Sequence, residues 1–277
     1  INHRLEEWNI PNTNMLEMLS LFTRTNDKKG NYFFLDYSAL ETRHLGSIYE
    51  HLLEYHLEVK NKKIKDLPSS NERKKSGSYY TPEIIVENIV SNSIEPKIEE
   101  ILQDYNDKSE HIDKILELKI LDPSVGSGHF LIGVINYLAI RICQIKTGEI
   151  IEEELIENKR EVARRCIFGV DVNPLAVDLC KLSVWLETLS SDKPLTFLSA
   201  HLKNGNSLIG GNVEEIFNPQ TTLVESDKGR SHFKNNVKKF FIFENLDDNS
   251  SSSVKTKVEN YAKMTSPGTG FYNLNFL

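Results

Sequence analysis

At 277 residues the chain is long enough for one large domain, or for one domain with a smaller appendage, and for a real buried core. A net charge of −7 excludes a protein that coats nucleic acid by bulk electrostatics, while leaving room for a local basic groove. Cys143, Cys166 and Cys180 are odd in number, show no C-x-x-C spacing and lie in apolar-periodic stretches. They read as buried free thiols of a reducing, cytoplasmic compartment, not as a disulfide scaffold. No basic-then-apolar leader opens the sequence, and no apolar run approaches the roughly 20 residues that a bilayer requires, so no membrane association is expected.

In chain order, the stretch from Asn14 to about Val59 reads as mainly helical. Leu45, Ile48, Tyr49, Leu52 and Leu53 fall on one helical face, and the Leu57/Val59 alternation reads as a short strand. Lys60, Lys62, Lys63 and Lys65, followed by Arg73, Lys74 and Lys75, concentrate positive charge around Asp66-Leu67-Pro68-Ser69-Ser70. Two readings fit this segment: a solvated linker or exposed hairpin, and a phosphate contact. A boundary near Ser76 divides the chain into a helical N-terminal region with its linker, residues 1–75, and a second part, residues 76–277.

From Tyr79 to Gly210 the order is helix, strand, helix, strand, helix, which predicts an α/β fold with a parallel sheet covered by helices on both faces. Ser76-Gly77-Ser78-Tyr79-Tyr80-Thr81-Pro82 opens this part, with Thr81 expected as N-cap, Pro82 as the first helical residue, and Ile85, Ile89 and Val90 facing inward. Beyond Gly211 the regularity is lost. Asn249-Ser250-Ser251-Ser252-Ser253 reads as a loop, and the end at Asn275-Phe276-Leu277 reads as cut, with no element to finish on.

The strongest chemical signal runs from Leu118 to Leu131, where an apolar strand enters a turn, Asp122-Pro123-Ser124-Val125-Gly126-Ser127-Gly128, and then a helix beginning near His129-Phe130. Gly126 and Gly128 permit a tight turn and close approach of a ligand to the backbone. Leu131, Val134, Ile135, Leu138 and Ile142 give the following helix a defined buried face, so its N-terminus points at the turn and favours an anionic group. A dinucleotide fingerprint calls for a third glycine where Leu131 stands. The acidic residue that closes the next strand, Asp171, also comes well past the usual spacing of about 20 residues.

Ile167-Phe168-Gly169-Val170-Asp171-Val172-Asn173-Pro174 is a second strand ending in a carboxylate. Asn173 is placed to cap the next helix, with Pro174 at its first position, which leaves Asp171 for the hydroxyls of a ribose. Leu202-Lys203-Asn204-Gly205-Asn206-Ser207-Leu208 is a polar stretch at the carboxyl edge of the sheet, where Asn206 reads either as a nucleobase contact or as a turn residue.

Taken together and in order, Tyr79-Tyr80-Thr81-Pro82, Asp122 to Phe130, Gly169 to Pro174, and Asn204-Gly205-Asn206-Ser207-Leu208 resemble the gamma-class amino-methyltransferases. The resemblance is to the methylase portion of type II restriction-modification enzymes with fused cleavage and methylation, and it covers roughly residues 36 to 211, including Leu45-Gly46-Ser47-Ile48-Tyr49-Glu50. It implies a Rossmann-like core that binds S-adenosylmethionine and serves N6 methylation of adenine in double-stranded DNA. It further implies that Tyr80, Thr81 and the turn with Asp122, Pro123, Ser124, Gly126, Gly128 and Phe130 hold the methionine part. Asp171 would hold the ribose, Asn206 and Ser207 the adenine, and Val172 is also assigned to the cofactor. Many relatives carry Asp where Asn206 stands here.

Family members also carry an Asn-Pro-Pro-aromatic tetrapeptide that holds the target amino group. Asn218-Pro219-Gln220-Thr221 lacks its last two letters and comes too soon after Asn206, so the catalytic motif and the sequence-reading domain are expected downstream of Leu277. No catalytic residue and no metal ligand is assigned in the chain. The alternatives are a methyltransferase acting on RNA or protein, and a non-catalytic DNA-docking or assembly module.

Overall fold

The computed structural model describes residues 11–27, 29–37, 44, 46, 55–60, 63–68, 81–208 and 246–265, and the chain forms two compact units, Ile1–Glu41 and Thr42–Leu277. In the first unit, helix α1 (Asn12–Thr23) leads into strands β1 (Arg24–Asn26) and β2 (Tyr32–Phe34), which pair antiparallel. Within this unit the expected mainly helical reading gives way to strands after Thr23. Asp27 turns the chain by accepting the backbone N–H groups of Lys29 and Asn31, and Gly30 supplies a φ of +83°.

In the second unit, β3 (Tyr55–Lys60) and β4 (Lys63–Pro68) form an antiparallel hairpin in which Lys60 pairs with Lys63. The hairpin carries Lys60, Lys63 and Lys65 of the Lys-rich segment, and Arg73, Lys74 and Lys75 lie outside the described residues. The proposed helical face from Leu45 to Leu53, Tyr79-Tyr80, and Asn218-Pro219 lie outside the described residues.

Helix α2 (Glu83–Asp104) begins one residue later than expected. Pro82, at φ −54° and ψ 142°, is its N-cap, and the Pro82 carbonyl accepts from Ile85 and Val86. Thr81 thus precedes the cap, because the extended ψ of Pro82 postpones the first helical residue. The buried stripe also differs in part from the expected one. Val86, Val90, Ile94 and Ile98 face the core, whereas Ile85 and Ile89 remain 45% and 47% exposed, correcting the inward placement expected for them.

Helix α3 (Lys108–Glu117), capped by Asp107, leads into β5 (Ile120–Asp122), then α4 (His129–Thr147), α5 (Glu152–Arg165), β6 (Ile167–Asp171), α6 (Pro174–Glu187) and β7 (Leu202–Asn204). The three strands form a parallel sheet in the order β5-β6-β7, with Asp122 opposite Gly169 and Asp171 opposite Asn204. Helical crossovers between neighbouring parallel strands are what the alternating sequence pattern predicts.

The core centres on α4, whose Leu131, Val134, Ile135, Leu138 and Ile142 are all buried. Each such side chain contributes about 1.5–3 kcal/mol of transfer free energy. By length and apolar content α4 matches a membrane span, contrary to the expectation that no run comes close. Its buried stripe packs instead against Ile167, Val177 and Val184 in the core cluster. Cys143, Cys166 and Cys180 are free and buried, as the sequence predicts.

The serine run is a helix, not a loop. Ser250 accepts the Ser253 N–H and caps α7 (Ser251–Met264), whose Met264 and Tyr261 pack with Phe197 and Ala200. This segment is fastened by three buried charged groups. Arg160 of α5 donates to the carbonyls of Thr188, Pro194 and Asp248, and Lys257 Nζ lies 2.6 Å from Asp248 Oδ1. Asp248 Oδ2 also accepts the Phe197 N–H at 3.0 Å.

Lys257→Met leaves the Asp248 carboxylate buried without its cation and is expected to cost about 3–5 kcal/mol in urea denaturation. Pairing it with Asp248→Asn should recover much of that loss.

Candidate functional site at the carboxyl ends of the strands

Parallel strands deliver their carboxyl ends to one edge of the sheet, and the connections that leave this edge converge there. After β5 the chain folds into a tight turn. Asp122 Oδ1 accepts the Ser124 N–H at 2.9 Å, the Val125 N–H reaches the Val170 carbonyl at 2.9 Å, and the Gly128 N–H closes on the Val125 carbonyl at 2.8 Å. Gly126 (φ +53°) and Gly128 (φ +89°) both need the left-handed region. Their surroundings differ. A side chain on Gly126 would meet nothing within 4 Å, so this backbone faces open space, whereas a Cβ on Gly128 would stand 2.7 Å from Cys180 Sγ. Gly126 leaves its backbone open, and Gly128 seats the turn on α6.

At the end of β6, Asp171 joins this turn directly. Its Oδ2 accepts the Gly126 N–H at 2.9 Å and its Oδ1 accepts the Asn173 N–H at 2.8 Å. Asn173 caps α6 through Leu175, with Pro174 at the first helical position, as the sequence predicts. The sequence reading left Asp171 entirely to a ligand. Structurally each of its oxygens is already half used, and one lone pair on each remains for an incoming hydroxyl. Val172 follows with its side chain 60% exposed, an apolar surface next to a carboxylate.

Past β7, Asn206 and Ser207 lie exposed, and the Asn206 Oδ1 accepts the Leu208 N–H at 2.9 Å. This turn sets Leu208 outward, 93% exposed. The acceptor role of Asn206 is thus partly taken, while its amide NH2 keeps two donors.

The remaining predicted residues distribute around this edge. Pro123 and Ser124 are exposed on the turn. Phe130 is half-buried against the core and lines, with Asp122, Pro123, Leu121 and Ile89, an apolar cleft of about 340 Å³. Thr81 stands just before α2, and the heads of α2 and α4 share a second cleft of about 470 Å³, in which Glu83 and Glu87 face His129 and Gly133.

Asp122 carries a displaced carboxyl. Burial pushes its carboxyl above the usual 3.8, the Ser124 N–H opposes this, and the neighbouring charge of Asp171 adds to the rise. The sequence reading missed two participants. Cys180 lies under Gly128, a contact that no local pattern announces. Asn204, quoted within the third motif but given no role, donates from Nδ2 to the carbonyls of Asp171 (2.9 Å) and Val172 (3.0 Å).

The arrangement offers open glycine backbone, two adjacent carboxylates on neighbouring strand ends, exposed apolar surface at Val172, and amide donors at Asn206. Such a set suits a ligand with a cationic end, a diol and a flat base. A family model described as N-6 DNA Methylase matches residues 41–216. A Methanocaldococcus jannaschii protein described as a type II restriction enzyme and methyltransferase is 28% identical over 207 residues, covering 60% of this chain and 16% of that protein. An adenine-specific methyltransferase of Streptomyces coelicolor is 27% identical over 175 residues, covering 61% of this chain and 12% of its own length. The chain therefore spans less than a fifth of the length of either relative.

Two outcomes test this geometry. A carboxyl whose value is raised on folding holds its proton more tightly in the native state, so stability falls as pH rises through the window between 3.8 and the raised value. Asp122→Asn should raise the melting temperature at neutral pH, with the advantage shrinking as pH is lowered into the carboxylate range; thermal melts of both proteins across pH measure it. Gly128→Ala combines a left-handed φ with the contact to Cys180 and should cost about 1–3 kcal/mol. Adding Cys180→Ala, which removes the sulfur, should return part of that loss in a denaturation series.

Proposed function

The chain belongs to the N-6 DNA methylase family, and from that membership and the strand-end geometry we propose that it forms the S-adenosylmethionine-binding half of an enzyme methylating the N6 amino group of adenine in double-stranded DNA, within a restriction-modification system. In this reading the parallel sheet β5-β6-β7 belongs to a Rossmann-like core with helices on both faces. The observation that carries the proposal is the Asp171 carboxylate, locked by Gly126 and Asn173 yet retaining one free lone pair on each oxygen.

The residues present fit the cofactor. Gly126 leaves space where a Cβ would stand, so a ligand reaches the backbone of the turn. The N-terminus of α4 favours the carboxylate of an amino-acid moiety, and Asp122 its ammonium. Thr81, Ser124, Gly128 and Phe130 complete the surroundings of that end, with Tyr80 assigned beside them. Asp171 accepts the ribose hydroxyls, Val172 offers an apolar face to the adenine ring, and Asn206 and Ser207 meet its polar edge. When bound, the cofactor supplies a methyl group already activated by its sulfonium sulfur.

What this chain contributes is placement. Holding the methyl donor at a fixed height above the strand ends lowers the entropic cost of the encounter with the target nitrogen. A base stacked in duplex DNA does not present its amino group in line with such a donor, so the adenine is to be flipped out of the helix. The sequence contains no Asn-Pro-Pro-aromatic tetrapeptide, and holding the target amino group falls to another part of the enzyme. The chain by itself is expected to bind cofactor without methylating DNA.

Calorimetric titration of the chain with S-adenosylmethionine tests the reading. Saturable binding is expected, with no heat from NAD and roughly tenfold or greater weakening in Asp171→Ala. Absence of binding in a folded chain would overturn the assignment of the cofactor site to this chain alone.

A further inference from the structure

Asn204 is exposed, so packing does not account for it, yet its side-chain amide is fully committed. Both Nδ2 protons are donated, one to the Asp171 carbonyl at 2.9 Å and one to the Val172 carbonyl at 3.0 Å. Only the NH2 end of an amide can serve two carbonyls, so the orientation of the group is determined. Asn204 pairs with Asp171 in the last register position of β6 and β7, and the Gly205 N–H also reaches the Asp171 carbonyl, at 2.9 Å. Beyond this point the chain leaves β7 for the Asn206 turn, and the side chain of Asn204 takes the place of the next rung of the ladder.

We infer that Asn204 is a positioning residue for the nucleoside end of the ligand: it fixes the main chain of Asp171 and Val172 from the β7 side, while Gly126 and Asn173 fix the Asp171 carboxylate from the other. Four groups then hold two consecutive residues. The carbonyls of Asp171 and Val172 are tied to β7, the carboxylate of Asp171 is tied to the turn after β5 and to the head of α6, and the Val172 side chain is left outward as an apolar face. Without the amide, residue 172 loses its tie to β7, and both the carboxylate and the apolar face gain freedom that a ligand must remove on binding. The inference rests on the assignment of this edge to S-adenosylmethionine, and its test separates the two.

The experiment titrates wild type, Asn204→Ala and Asn204→Asp, each as the full chain, with S-adenosylhomocysteine, and follows amide hydrogen exchange at Gly126 and Asn173 alongside melting temperature. The aspartate is close to isosteric but brings no donor to the two carbonyls at neutral pH. Both variants are expected to bind roughly tenfold more weakly or worse. Exchange should quicken at Gly126 and Asn173 and stay unchanged in the interiors of α4 and α6. Affinity within about twofold of wild type, or weakened affinity with unaltered exchange at Gly126, would overturn the positioning role. So would global unfolding of Asn204→Ala, which would make the residue a support of the fold and not of the site. A wild-type chain that binds no S-adenosylhomocysteine would instead overturn the cofactor reading, and this inference with it.

Discussion

The site hangs on one carboxylate. Asp171 ends β6, and its two oxygens accept one N–H from the turn after β5 and one from the head of α6. Charge-assisted bonds to backbone donors are among the stronger links available to a protein; here one reaches a distant turn and the other closes on the head of the helix that follows β6. Gly126 lies 45 residues from Asp171, so nothing local sets their separation. It is set by the parallel register, which places Asp122 opposite Gly169 and therefore brings the turn beside the end of β6. Sheet register fixes the distance, and the carboxylate converts it into a rigid strand-end platform.

The glycine turn shows how the core reaches this platform. Gly128 sits against Cys180, which is wholly buried on α6, and its own N–H closes on Val125, whose N–H in turn reaches Val170. The height of the turn is therefore set from below by α6 and from the side by β6. The head of α4 follows directly, so its orphan N–H groups are aimed by the same contacts. A ligand arriving at this edge meets donors already ordered by the packing of three elements, and little of its binding energy is spent on arranging them.

Much of this was legible in the sequence. The apolar strands, the two glycines, Asp171 and the Asn173-Pro174 helix start all obey local rules, and the buried stripe of α4 follows from its 3.6-residue period. The misses share a cause: each was decided by something the local pattern does not contain. Thr81 has the chemistry of a cap, but the extended ψ of Pro82 puts the helix start one residue later, and the stripe that packs on the core is Val86, Val90, Ile94 and Ile98, which leaves Ile85 and Ile89 outward. The serine run looks like a loop by composition. It is a helix because Ser250 caps it and Tyr261 and Met264 find Phe197 and Ala200 to cover. Asn204 and Cys180 act through residues more than thirty and fifty positions away, respectively, and only the fold makes those pairs neighbours.

A last feature is the cost accepted at the edge. Asp122 and Asp171 close adjacent strands, and burial first, with the neighbouring charge of Asp171 adding to it, pushes the Asp122 carboxyl up. Val172 and Leu208 add apolar surface exposed to water. All four residues stand at the edge where the parallel strands deliver their ends, which is where the proposed ligand would meet them. In the proposed complex a cationic group would lie beside the two carboxylates, a diol would take the lone pairs left on Asp171, and a flat base would cover the exposed apolar side chains. The local instability and the affinity are then the same interactions seen with the ligand absent and present.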